Sequence, residues 1–158
     1  MRSMFEAATQ FLVDDGWPVK RIEETNSLHM LFKGENGVWT CIAHALEERR
    51  SLLFYSVCPI EIPPEQYGEV MEFITHANYG MLNGAFEFDL SDGDLRYRTA
   101  LTVPDADPTP KSLQFIIYDN VTTMDLYLPG LYAVASGETD ALHAIDKIER
   151  HLADTDDT

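Results

Sequence analysis

The chain has 158 residues and 17.9 kDa, with 45% apolar and 11% aromatic residues, which suits one domain with its own core and excludes a disordered segment as the default. Its 27 Asp and Glu against 11 Lys and Arg give a formal charge of −16, a field that repels phosphate backbones and anionic lipid, so nucleic acid and membrane surfaces are not expected partners. Cys41 and Cys58 alone make no disulfide framework, and no apolar run approaches the roughly 20 residues that span a bilayer.

In chain order, Ser3 and Glu6 have the spacing of a capping box, and Met4, Phe5, Ala8, Phe11 and Leu12 recur at helical spacing behind them. Gly16 ends this helix, and Trp17-Pro18 turns the chain into extended structure. These first residues are amphipathic and acidic and do not read as a leader, so a soluble, cytoplasmic protein is expected. A short strand is expected over Val19–Glu23, with a turn at Asn26-Ser27. Strands at Leu28–Lys33 and Val38–Leu46 flank Asn36-Gly37, a pair that favours a two-residue type I′ turn. That turn would set Phe32 opposite Cys41, Met30 opposite Ala43, Leu28 opposite Ala45 and His29 opposite His44. A reversal centred on Glu48-Arg49 would place Leu52 opposite Ala45 and Phe54 opposite Ala43, extending the same face into a strand over Ser51–Cys58.

The opposite face of these strands carries Leu31, Ile42, Leu53, Tyr55 and Val57 beside His29, Thr40 and His44. A face meant for water should alternate more cleanly, so a helix or another subunit is expected to cover it. Pro64 then suits the first position of a helix with the stripe Tyr67, Val70, Met71, Ile74 and Ala77, stopped by Gly80. Ala85–Leu90 and Leu95–Val103 read as a hairpin about Asp92-Gly93, with Phe88 opposite Tyr97, Glu87 opposite Arg98 and Asp89 opposite Arg96. Thr109 and Pro110 start a long helix that Pro129 should kink or split, and a last helix is expected over Glu138–Leu152 before the acidic tail 153–158. The order gives one α+β domain, residues 1–152: a mostly antiparallel sheet with N-terminal, central and C-terminal helices.

Gly16-Trp17, Trp39, the stretch YSVCPIEIPPEQYGEVMEFITHANYGMLNGAFEFDLSDGDLRYR and the Asp-x-Tyr-x-Pro pattern of Asp125, Tyr127 and Pro129 resemble the YbjN-domain family over roughly Phe5 to Ile148. Asn78 followed by Gly84, Phe86 and Phe88 is part of that pattern. The resemblance implies a type III secretion chaperone-like α+β fold, usually dimeric, with non-enzymatic roles of a regulatory or chaperone-like kind. It brings no catalytic residues.

The residues themselves offer little chemistry. His29 and His44, if paired across strands, could hold a metal with Glu47 or His76, but closed zinc sites take four ligands, so a structural histidine pair is the stronger reading. Cys41 and Cys58 read as small buried hydrophobes with no cation nearby in sequence to activate them. Ser91-Asp92-Gly93-Asp94 lacks the ligand spacing of a calcium loop and reads as a turn. Asn78 and Asn120 read as residues that bond backbone, and Tyr118, Tyr127 and Tyr132 as packing or edge residues of the long helix. No motif calls for a cofactor or a metal. The expectation is a non-enzymatic protein-binding module acting as a homodimer on another protein, through Leu31, Ile42, Tyr55 and Tyr127 or the groove beside the C-terminal helices. The alternative is a metal-dependent or ligand-binding enzyme centred on His29 and His44, and a third reading is a permanent structural subunit.

Overall fold

A computed structural model describes residues 1–156. Among them the order is α1 (Met4–Asp14), β1 (Lys20–Ile22), β2 (Ser27–Lys33), β3 (Val38–Leu46), β4 (Ser51–Val57), α2 (Tyr67–Asn78), β5 (Gly84–Asp89), β6 (Asp94–Thr102), α3 (Pro110–Ala135) and α4 (Ala141–Asp156). The strands form one antiparallel six-stranded sheet in the order β1-β2-β3-β4-β6-β5. Helices α1, α2 and α3 pack on one face of it, and α4 packs chiefly on α2 and α3. The core lies between sheet and helices, where Leu28, Trp39, Phe54, Tyr97, Phe73 and Ile117 are among the buried side chains.

Helices α1 and α3 start where expected, whereas Pro64 opens a single 3-10 turn ahead of α2, which starts at Tyr67, and α4 starts at Ala141, not at Glu138. Ser3 accepts from the Glu6 N–H at 3.0 Å, which is half of a capping box; the Glu6 carboxylate instead pairs with Arg21 at 2.8 Å. Thr109 and Ser112 form the full reciprocal box ahead of Pro110 in α3. Pro129 does not split α3, which runs unbroken from Pro110 to Ala135. The helix α4 continues to Asp156 and takes in most of the acidic tail; residues 157 and 158 lie outside the described residues.

The β3–β4 register is as expected, with Ala45 opposite Leu52 and Ala43 opposite Phe54. The chain turns there through Glu47–Arg49 and closes on Arg50 at φ 49°, a left-handed conformation that costs a non-glycine residue free energy. Its guanidinium donates to the Arg2 carbonyl at 2.6 Å and the Ala106 carbonyl at 2.8 Å, which ties this turn to both flanking segments.

Two hairpins differ from expectation by two residues, which leaves every side chain on its expected face. In β2–β3, Phe32 pairs with Trp39, Met30 with Cys41 and Leu28 with Ala43. The turn is centred on Glu35-Asn36, closed by Gly34 N–H to Gly37 O at 2.8 Å, and neither Asn36 nor Gly37 has the positive φ of a type I′ turn. In β5–β6, Phe86 pairs with Tyr97, Glu87 with Arg96 and Asp89 with Asp94. The Asp89 carboxylate accepts from the N–H and hydroxyl of Ser91, so the chain begins to turn early, and Gly93 at φ 80° closes a four-residue loop. The expected Asp89–Arg96 pair is replaced by Arg96 with Asp94 on its own strand, while Arg98 still reaches Glu87 diagonally at 3.3 Å.

Candidate protein-interaction surfaces

Alternation along β2, β3, β4 and β6 sends one set of side chains into the core and the other onto a face that no helix of the described residues covers. Leu31 is 63% exposed and Val38 50%, and Ile42, Leu53, Tyr55 and Val57 are half-buried beside them. The apolar part lies over β2, β3 and β4; over β6 and β5 the face changes to Arg96, Arg98 and Glu87. Arg96 places its guanidinium 5.0 Å from the centre of the Tyr55 ring, a cation–π contact that fixes the ring at the border of the two halves. Partial burial, and next the charge of Glu87, push the Tyr55 hydroxyl above its usual range, so it stays a neutral donor. Of the two coverings expected for this face, a helix of the chain is not the one found among the described residues: the face is open in the single chain.

Leu31, Ile42 and Tyr55 share this surface, with Ile42 directly opposite Tyr55. Tyr127 does not join them. Its side chain is 6% exposed and packs against Phe73 and Phe86 in the core, because the residue falls on the buried stripe of α3. Val38 belongs to the patch as well; alternation along β3 already put it on the face of Thr40 and Ile42, and its exposure shows that it joins Leu31 there.

The proposed histidine pair is also separated. The two-residue shift sets His29 opposite Ile42, and His44 opposite Ser27, whose hydroxyl lies 3.1 Å from the His44 Nδ1. Of the two suggested third ligands, Glu47 accepts from the N–H groups of Met4 and Phe5 at 2.6 and 3.1 Å, at the positive end of α1, and His76 lies beside Glu72 on α2. Among the described residues, no three His, Cys, Asp or Glu side chains converge as metal ligands. Cys41 and Cys58 are buried, and burial pushes each thiol up to about 12, the opposite of what a reactive cysteine needs.

The other candidate, the groove beside the C-terminal helices, holds about 1300 Å³ between α3, α4 and the β2–β3 loop. Asp125 builds its wall. Its carboxylate accepts from the N–H groups of Glu35 and Asn36 at 2.9 and 2.8 Å. Pro129, four residues on, has no N–H for the Asp125 carbonyl, and that carbonyl accepts from Asn36 Nδ2 at 2.9 Å instead. Gly34 is required beneath it, because a Cβ would lie 2.6 Å from the Asp125 carboxylate and 2.8 Å from the Trp39 ring. Thus Asp125 and Pro129 clamp the β2–β3 loop onto α3, which accounts physically for the turn being drawn back from Asn36-Gly37.

Two asparagines fix the frame of these surfaces. Asn120 is fully buried; its amide donates to the Phe54 and Tyr97 carbonyls at 2.8 and 3.0 Å, and its oxygen accepts from Ser56 at 2.6 Å. Ser56 in turn accepts from the Trp39 indole at 2.9 Å, so one network joins α3 to β3, β4 and β6. Asn78 bonds both the N–H and the carbonyl of Phe86, at 2.7 and 3.1 Å. It stands in for a neighbouring strand at the sheet's β5 edge.

Two solved structures share this architecture. The crystal structure of YbjN from E. coli superposes with a TM-score of 0.65 at 16% identity, covering 86% of this chain and 97% of that one. The crystal structure of the ExsC–ExsE complex gives 0.59 at 15% identity, covering 79% and 90%. The Yersinia pestis type III secretion chaperone SycH, in complex with a fragment of YscM2, gives 0.47 at 13% identity, covering 74% and 92%. A comparison with curated protein sequences gives no match. A sequence model described as "Putative bacterial sensory transduction regulator" matches residues 6–133, the whole sheet with α2 and nearly all of α1 and α3, and by that match the chain belongs to the YbjN family.

Proposed function

We propose that the chain is a non-enzymatic binding module, regulatory or chaperone-like, that works in the cytoplasm as a homodimer and holds another protein. The observation that carries this reading is the uncovered outer face, where Leu31 and Val38 are half or more exposed on a sheet already complete on its other side. Apolar side chains grouped in this way are a cost in water that burial against a second chain removes. The family model's description, "Putative bacterial sensory transduction regulator", supports the same class of role, and a chain of the ExsC–ExsE complex, similar in fold, was solved bound to another protein. The net charge of −16 favours the approach of a basic partner, while the border of the face itself carries Arg96, Arg98 and Glu87.

Light scattering during size exclusion at low concentration tests the dimer. The wild type is expected at twice 17.9 kDa and the Leu31→Asp, Ile42→Asp variant at 17.9 kDa; a monomeric wild type rejects the dimer. A photo-crosslinking amino acid at Tyr55 tests the partner in the native cell. It should capture a protein other than a second copy of this chain, one that the same group at Lys111, on α3, does not; capture of this chain alone, or equal capture from both positions, counts against a partner on the outer face.

A further inference from the structure

Four places in the chain set an Asp or Asn directly before a glycine: Asp15-Gly16, Asn36-Gly37, Asn83-Gly84 and Asp92-Gly93. Such pairs are chemically fragile. The glycine nitrogen can attack the side-chain carbonyl carbon of the residue before it, because glycine has no Cβ to hinder closure of the five-membered ring. The attack needs a side chain that swings over its own main chain and a glycine N–H that is not donating elsewhere. Hydrogen bonding decides which pairs have these freedoms.

Three of the four are held. The Asp15 carboxylate accepts from the Trp17 indole at 3.0 Å and from the Tyr118 hydroxyl, and the Gly16 N–H donates to the Val13 carbonyl at 3.1 Å. The Asp92 carboxylate accepts from the Asp94 N–H at 2.8 Å, and the Gly93 N–H donates to the Asp89 carbonyl at 2.8 Å. The Asn36 side-chain amide donates to the Asp125 carbonyl at 2.9 Å, and its backbone N–H to the Asp125 carboxylate at 2.8 Å. To reach Gly37, that side chain must first let go of α3.

Asn83 has no such hold. It ends the loop 79–83 between α2 and β5, where Tyr79 and Leu82 are each 91% exposed. The Met81 N–H ties this loop back to the Asn78 carbonyl at 3.1 Å, but among the described residues no hydrogen bond restrains the Asn83 side chain. The Gly84 nitrogen is also outside the ladder. Asn78 takes the Phe86 N–H on the outer side of β5, and N–H groups alternate in direction along a strand, so the Gly84 N–H likewise points away from β6.

We infer that Asn83-Gly84 is a site of spontaneous deamidation and that the folded structure confines the reaction to it. The Gly84 nitrogen bonds to Asn83 Cγ, the Cγ–Nδ2 bond breaks, and ammonia leaves with the Gly84 proton, which gives a succinimide. Water opens the ring at Cγ to give aspartate, or at the main-chain carbonyl to give isoaspartate; nothing is oxidised or reduced. Both products add a negative charge. Isoaspartate also inserts a methylene into the main chain ahead of Gly84, a residue with no room to move toward the sheet. A Cβ there would lie 2.5 Å from the Arg98 carbonyl oxygen and 2.7 Å from the Tyr97 hydroxyl. The start of β5 therefore lifts, while Asn78 keeps hold of Phe86. This chemistry is independent of what the outer face binds.

The full chain is incubated at pH 8, folded and separately in denaturing urea, with released ammonia measured and digests mapped by mass spectrometry. In the folded chain, aspartate and isoaspartate should accumulate at Asn83, with Asn36 slower by about tenfold or more, since it reacts only from the opened clamp. In urea the two asparagines should react at comparable rates. Asp125→Ala should speed Asn36 in the folded chain by about tenfold and leave Asn83 unchanged. Asn83→Gln should abolish most of the ammonia release while keeping the wild-type urea midpoint. Hydrogen exchange on the aged protein should be faster at Ala85 and unchanged in β3. Four results overturn the inference: Asn36 as fast as Asn83 in the folded chain, Asn83 reacting only in urea, isoaspartate arising first at Asp15 or Asp92, or an Asn36 rate that Asp125→Ala does not change.

Discussion

Replacing Asp125 by alanine isolates the clamp that holds the β2–β3 loop. The substitution removes the acceptor of two backbone N–H bonds, of 2.9 and 2.8 Å, from Glu35 and Asn36. Bonds to a charged acceptor are worth about 1.5–3 kcal/mol each, but both donors sit in an exposed turn where water takes them back, so the loss should be near about 2 kcal/mol in total. For a chain of this size that is a fall in melting temperature of about 4–8 °C. Urea denaturation followed by circular dichroism, with an unchanged m value, is the appropriate assay. Asn36→Ala should cost about 1 kcal/mol through its bond to the Asp125 carbonyl. In a Pro129→Ala background that carbonyl regains a helical N–H, and the cost of Asn36→Ala should drop below about 0.5 kcal/mol. An Asp125→Ala loss under about 0.5 kcal/mol, or the same Asn36→Ala cost in both backgrounds, refutes the clamp.

Three further outcomes follow from the same geometry. Asn120→Ala leaves the Phe54 and Tyr97 carbonyls and the Ser56 hydroxyl without their buried partner, and should cost about 3–5 kcal/mol in the same urea assay. Asn78→Ala bares both backbone groups of Phe86; it should cost about 1–2 kcal/mol and speed amide exchange at Phe86 while β3 is unaffected. Stability should also fall at alkaline pH. Burial raises Cys41 and Cys58 from 9.0 to about 12, and burial first, then Asp119, raises Tyr97 from 10.0 to about 12. These groups are held neutral in the folded state, so their contribution is complete below about pH 9 and is lost as pH rises toward 12, where the unfolded chain ionises first. A urea midpoint that does not fall between pH 8 and pH 11, or rapid native-state reaction of either thiol at pH 8, contradicts this.

The sequence by itself determined the elements, their order and the side each residue faces, because those depend on local periodicity and capping. The period of two in β2, β3 and β4 told Leu31, Ile42 and Tyr55 from Leu28, Cys41 and Phe54 even where the register was off by two, since a shift of two returns every side chain to its own face. It also marked Asn78, Asn120, Asp125 and Pro129 as residues with a particular place. The tertiary structure alone decided what those places are. Asn36-Gly37 favours one turn locally, and a carboxylate 89 residues away on α3 imposes another through two hydrogen bonds. His29 and His44 were separated by the same shift, and Tyr127 was drawn inward because helical spacing cannot say which of several aromatic residues meets Phe73 and Phe86. Whether the outer face is covered was beyond any local pattern as well. Coverage depends on where the helices have room to pack, and all of them lie on the far side of the sheet, with Leu31 and its neighbours left open.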